Sequence, residues 1–126
     1  MITRRMIRRN HPEHNLQCAC VTWFALQFPR LRGRLIAVPN GGGRTPVEAA
    51  RLKLEGVVAG VADLLLLVPR QGYGALCVEM KTTAKSSRQS ARQKEWEANI
   101  TANGDYKYVV CRTLEEFVKE ITEYMA

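Results

Sequence analysis

The stretch that decides the fold reads Val61-Ala62-Asp63-Leu64-Leu65-Leu66-Leu67-Val68, Pro69-Arg70-Gln71-Gly72-Tyr73-Gly74, Ala75-Leu76-Cys77-Val78-Glu79-Met80-Lys81. Two apolar runs flank a turn rich in Pro and Gly, which is the pattern of a β-hairpin. Each run carries its charged residues at the end away from the turn. Folding about Gln71–Gly72 brings Asp63 level with Glu79 and Met80 to within about a residue. Side chains alternate along a strand, so Glu79 and Lys81 share one face and Met80 takes the other. Two carboxylates and an ammonium therefore converge at one end of an apolar hairpin. Carboxylates held together repel unless neutralised, and a hard divalent cation with oxygen ligands is the usual answer. The bland alternative is charged residues emerging into solvent where strands end.

Working outward, the chain of 126 residues is sized for one domain with a core, and its 46% apolar content makes it globular. No apolar run approaches the ~20 residues of a membrane span, so no membrane partner is expected. The N-terminus lacks the apolar core of a secretory signal, which favours a cytoplasmic location. The net charge of +7 favours a polyanionic partner such as nucleic acid. Residues 1–10 form a basic arm bearing Arg4, Arg5, Arg8 and Arg9, and residues 11–126 form the domain proper.

Pro12 and Glu13 suit the start of a first helix, on which Leu16, Cys20, Trp23 and Leu26 or Gln27 recur at helical spacing. His11, His14, Cys18 and Cys20 superficially resemble a zinc set. Cys18 and Cys20 are two apart on a helix, however, and point in different directions. Arg34–Val38 reads as a short strand, followed by a glycine-rich loop, Asn40-Gly41-Gly42-Gly43-Arg44. No Gly-Lys-Ser/Thr follows, so the loop is not a Walker A. Thr45-Pro46-Val47-Glu48 opens a short helix that Gly56 stops.

After the hairpin, Ser86 or Ser87 is expected to cap a helix running to about Asn103. Gln89, Gln93, Trp96 and Ile100 lie on one stripe of it, and Arg88, Arg92 and Lys94 make its start basic. Tyr106–Cys111 is a last strand, and Thr113-Leu114-Glu115-Glu116 opens a C-terminal helix with Phe117, Ile121 and Tyr124 on its inner face. The order α-β-α-β-β-α-β-α gives an α/β fold, a mixed β-sheet flanked by helices.

Four pieces, Pro39-Asn40-Gly41-Gly42, Gly60-Val61-Ala62-Asp63-Leu64, Glu79-Met80-Lys81 and Gln93-Lys94-Glu95-Trp96, stand in an order and spacing that resembles the VRR-NUC domains of the PD-(D/E)xK nuclease superfamily. The likeness spans Glu13 to the C-terminus and resembles the stand-alone domains of the kind found in phages and bacteria. Ala62 departs from it, standing where the family usually has a Pro. The resemblance implies a restriction-endonuclease-like core and a metal-dependent endonuclease acting on DNA, with Mg2+ or Mn2+ as cofactor. It further implies action on branched DNA such as Holliday junctions, by a homodimer.

On this resemblance Asp63 and Glu79 would bind the metal, with the Met80 backbone carbonyl as a further ligand. Glu13 would complete the site, and Gln93 would brace Lys81 or a water. Lys81 would position water or stabilise phosphate charge. A charged ammonium cannot accept a proton, and neighbouring carboxylates favour the charged form, so the electrostatic role is preferred to the general-base role. Phosphate contacts are expected from Arg8, Arg9, Asn40, Gly41, Gly42, Arg44, Lys85, Arg88 and Arg92. The rival from another class is a DNA-binding module of the same fold without catalysis.

Overall fold

The computed structural model describes residues 11–39 and 44–126. Its organising element is the hairpin. Arg70 and Tyr73 exchange both backbone hydrogen bonds, at 3.1 and 2.8 Å. Gln71 and Gly72 between them sit at φ +54° and +85°, the doubly left-handed geometry of a tight two-residue turn. A non-glycine residue pays for that conformation with steric strain, and Gln71 gains a compensating tie. Its amide donates to the carbonyls of Glu123 and Tyr124, at 2.6 and 3.1 Å. The turn tip is thereby fastened to the end of the last helix.

Strands β2 (Leu64–Leu66) and β3 (Ala75–Met80) pair antiparallel with Leu64 opposite Val78. β1 (Leu35–Ala37) adds antiparallel to the outer side of β2, and β4 (Tyr106–Cys111) lies parallel to β3. The resulting mixed sheet has the order β1-β2-β3-β4. A parallel neighbour requires a crossover, here supplied by helix α3 (Ala91–Thr101). Helices α1 (Pro12–Gln27), α2 (Pro46–Leu54) and α4 (Leu114–Met125) complete the fold, with a 3-10 turn at Pro29–Leu31.

The core lies between one sheet face and helices α1 and α4. Leu64, Leu66, Leu76, Val78 and Met80 meet Cys20 and Phe24 of α1 and Phe117, Ile121 and Tyr124 of α4. Each large side chain so buried stabilises the fold by about 1.5–3 kcal/mol. The Tyr124 hydroxyl donates to Val68 O at 2.7 Å, so its one polar group is satisfied. All six residues of β3 are buried because both its faces are covered.

Two details depart from the periodicity of the sequence. In α1 the buried row is Cys20 and Phe24, continued by the half-buried Phe28, which packs against Phe24. Leu26 is 79% exposed, because two residues past Phe24 the helix presents its opposite side. Helix α3 begins at Ala91, capped by Ser90, and neither Ser86 nor Ser87 caps it. The Ser87 hydroxyl accepts instead from the Thr82 N–H at 2.8 Å. Ser90 wins the cap through a reciprocal box: its hydroxyl accepts from Gln93 N and its own N–H donates to Gln93 Oε1. The helix stops at Thr101, and Gly104 beyond it takes φ +73°. Among the described residues no helix is long and apolar enough to cross a membrane.

Candidate metal centre

The site is built where β2 begins and β3 ends. The chain reaches Asp63 through Gly60, at φ +89°, where a Cβ would stand 2.3 Å from the Arg92 carbonyl oxygen. Only glycine permits that approach, and it brings the approach to Asp63 against the N-terminus of α3. Asp63 stands directly opposite Glu79, one step beyond the Leu64–Val78 pair. Its Oδ2 accepts from the Met80 N–H at 2.7 Å, which locks the carboxylate across the hairpin. The Met80 side chain is wholly buried in the core, so the site sees only its backbone.

Glu79 is fully buried, a position a carboxylate occupies only with partners. Its Oε2 accepts from Gln93 Nε2 at 2.9 Å and lies 3.3 Å from Lys81 Nζ. The Tyr108 hydroxyl reaches its Oε1 at 3.5 Å. Lys81 is 8% exposed, and its N–H donates to Cys111 O in the parallel ladder. Glu13, half-buried on the first turn of α1, swings in from the opposite layer. Oxygens of Glu13, Asp63 and Glu79 all lie within 4.8 Å of one another.

Three carboxylates share one ammonium, and the electrostatics record the conflict. Burial, reinforced by a hydrogen bond and the charge of Asp63, pushes Glu79 up to about 8 against the opposing pull of Lys81. Burial also raises Glu13, with Lys81 lowering it and Asp63 raising it. A pocket of oxygen donors with surplus negative charge fits a hard divalent cation, since oxygen ligands are what such ions take.

A relay extends behind Glu79. Gln89 Nε2 donates to the Tyr108 hydroxyl at 3.1 Å and to Glu97 Oε1 at 2.9 Å. Burial, then the nearby Glu79 charge, raises the Tyr108 phenol, which keeps it a proton donor. Sequence reasoning put Gln89 on the helix stripe but did not single out Tyr108. The signal for it is the parallel register, which sets Tyr108 beside Cys77, two residues from Glu79 and on its face.

The remaining residues named from the sequence divide three ways. Arg8, Arg9, Asn40, Gly41 and Gly42 lie outside the described residues. Arg44 and Arg92 line one groove with Lys53, between α2 and α3. Arg88 lines a separate cleft with Lys94, Arg112 and Lys119, and Lys85 is exposed in the connection before α3. The zinc set does not assemble. His14 Nε2 and Cys18 Sγ are 3.4 Å apart on the exposed side of α1, while Cys20 is wholly buried in the core. Burial pushes the Cys20 thiol up to about 12, away from the thiolate that zinc requires.

The family model for the VRR-NUC domain matches residues 2–114 of the chain. Among solved structures, one described as a "VRR_NUC domain protein" is similar at 27% sequence identity with a TM-score of 0.74. That likeness covers 90% of this chain and 87% of the other. No curated protein matches the chain.

Proposed function

The chain belongs to the VRR-NUC domain family, and on that premise we propose that it is a metal-dependent endonuclease hydrolysing DNA phosphodiester bonds. The observation that carries this reading is the meeting of Glu13, Asp63 and Glu79, from two layers of the fold, beside Lys81 and Gln93. Asp63, Glu79 and Glu13 would hold Mg2+ or Mn2+, with the Met80 backbone carbonyl as a further ligand. A divalent ion there supplies Lewis acidity, lowering the pKa of water and offsetting charge on the departing oxygen.

The other roles belong to the chain itself. Gln93 fixes the rotamer of Glu79 through its amide, and the Met80 N–H fixes Asp63. Lys81, nearly buried against Glu79, supplies positive charge for the phosphorane oxygens as negative charge develops on them. A preorganised cation of this kind is worth about 10²–10³ in rate. Lys85, Arg88, Arg92 and Arg44 contact phosphates, joined by residues 1–10 as a basic arm leading into the domain of residues 11–126. Contacts of that type set affinity and salt dependence more than sequence choice.

The substrate we favour is branched DNA such as a four-way junction. Cutting two strands symmetrically suits a homodimer with paired active sites. Labelled junction, flap and linear duplex, incubated with Mg2+ or Mn2+ beside an Asp63→Ala control, test the reading. Metal-dependent cleavage by the wild type and none by the variant is expected. Binding without cleavage by the wild type would make the protein a DNA-binding module instead.

A further inference from the structure

Between α2 and α3 runs a groove of about 1170 Å³. That exceeds the roughly 300–1,000 Å³ of compact small-molecule sites, and its open form suits a length of polymer. Its composition is mixed. Arg44, Lys53 and Arg92 supply three cations against the single carboxylate of Glu95, while Val57, Val58 and Trp96 supply apolar surface. Val57 and Val58 present apolar surface to water, at 39% and 53% exposed.

The groove also adjoins the metal centre. Gly60 and Arg92 form part of its wall, and their backbones meet so closely that no side chain fits between them. Asp63 follows Gly60 by three residues, and Gln93 follows Arg92 directly. Trp96 backs onto the same centre, tilted against Tyr108 with ring centroids 6.2 Å apart. The Tyr108 hydroxyl in turn reaches Glu79.

From this juxtaposition we propose that the groove takes an unpaired DNA strand as it leaves the metal centre. Bases would lie on Trp96 and the Val57–Val58 surface, and phosphates on Arg44, Lys53 and Arg92. Paired DNA keeps its base faces stacked on each other and has no use for an apolar wall. Single strands are held by this pairing of cations with aromatic surface. The proposal rests on the nuclease reading and refines it to substrates whose strands part at the point of attack.

Binding without divalent metal separates the two. Fluorescence anisotropy in EDTA compares a blunt duplex with the same duplex carrying a fifteen-thymidine arm. Wild type should bind the armed DNA at least fivefold tighter. Trp96→Leu should weaken that binding about 5- to 150-fold, the span that stacking one base covers, and Trp96→Phe should restore most of it. Lys53→Glu and Val58→Asp, at exposed positions that leave the core intact, should erase the preference while blunt-duplex binding changes less than threefold. Equal wild-type affinity for the two DNAs, or equal losses on both, overturns the proposal. Because no metal is present, a chain that cuts nothing can still show the arm preference, and one that cuts junctions can lack it.

Discussion

Replacing Glu79 by Gln tests the electrostatics of the centre without changing its shape. With its pKa raised from 4.5 to about 8, native Glu79 keeps a proton that the unfolded chain releases above about pH 4.5. The native state therefore binds more protons over that window, and stability falls as pH rises through it. The slope is about 1.4 kcal/mol per pH unit, giving a ceiling of about 5 kcal/mol by pH 8. Local relaxation around the buried carboxylate, which keeps the effective dielectric high, reduces this to roughly 2–4 kcal/mol. The Gln amide oxygen can still accept from Gln93 and Lys81, so the variant lacks only the charge. In EDTA, Glu79→Gln should match the wild type near pH 4.5 and exceed it by roughly 2–4 kcal/mol at pH 8. Urea melts at four pH values measure this, with m values of about 1–3 kcal/mol/M converting midpoint to free energy. Adding Mn2+ should lift the wild type most at high pH, where the proton no longer competes, and leave the variant nearly unmoved. A stability difference that does not change with pH would refute the argument.

Three further outcomes follow from the same geometry. Gly60→Ala forces a Cβ against the Arg92 carbonyl at a positive φ. It should cost about 2–4 kcal/mol in thermal melts and weaken Mn2+ binding as α3 shifts. Gln93→Ala removes the side-chain half of the Ser90 box, leaving the Ser90 hydroxyl to accept from the backbone at 93, and removes the Glu79 amide bond. A loss of about 1–2 kcal/mol in urea melts, together with at least tenfold slower cleavage, is expected; unchanged cleavage would deny Gln93 its bracing role. Lys81→Met keeps the stem and deletes the charge, so cleavage of a junction should fall about 10²–10³-fold. Calorimetric Mn2+ affinity should not fall with it.

The pairing of Asp63 with Glu79, and the placement of Lys81 beside Glu79, were readable because a hairpin obeys two short-range rules. Strand alternation puts Glu79 and Lys81 together, and the Gln71–Gly72 turn sets the register. The approach of Glu13 is a different matter. It depends on how α1 packs across the core, a long-range fact that residue spacing does not encode, and it came only through family likeness. The start of α3 was misread because Ser86, Ser87 and Ser90 are all competent caps. What decides among them is tertiary: Thr82 occupies Ser87, and Arg112 Nη1 donates to the carbonyls of Thr82 and Ser87, both at 2.7 Å. Leu26 was misassigned because helical spacing alone does not say which of two neighbouring rows meets the core.

That Arg112 clasp has a consequence for how this segment tolerates insertion or deletion. It staples both ends of the short connection between Lys81 and Ser90, so the number of residues there acts as a ruler. One residue added or removed between Thr82 and Ser87 would break the paired ties to Arg112 or displace Ser90, and with it the Gln93 that reaches Glu79. Surface loops ordinarily absorb insertions. Here the length of a solvent-facing segment should be held as tightly as any buried side chain.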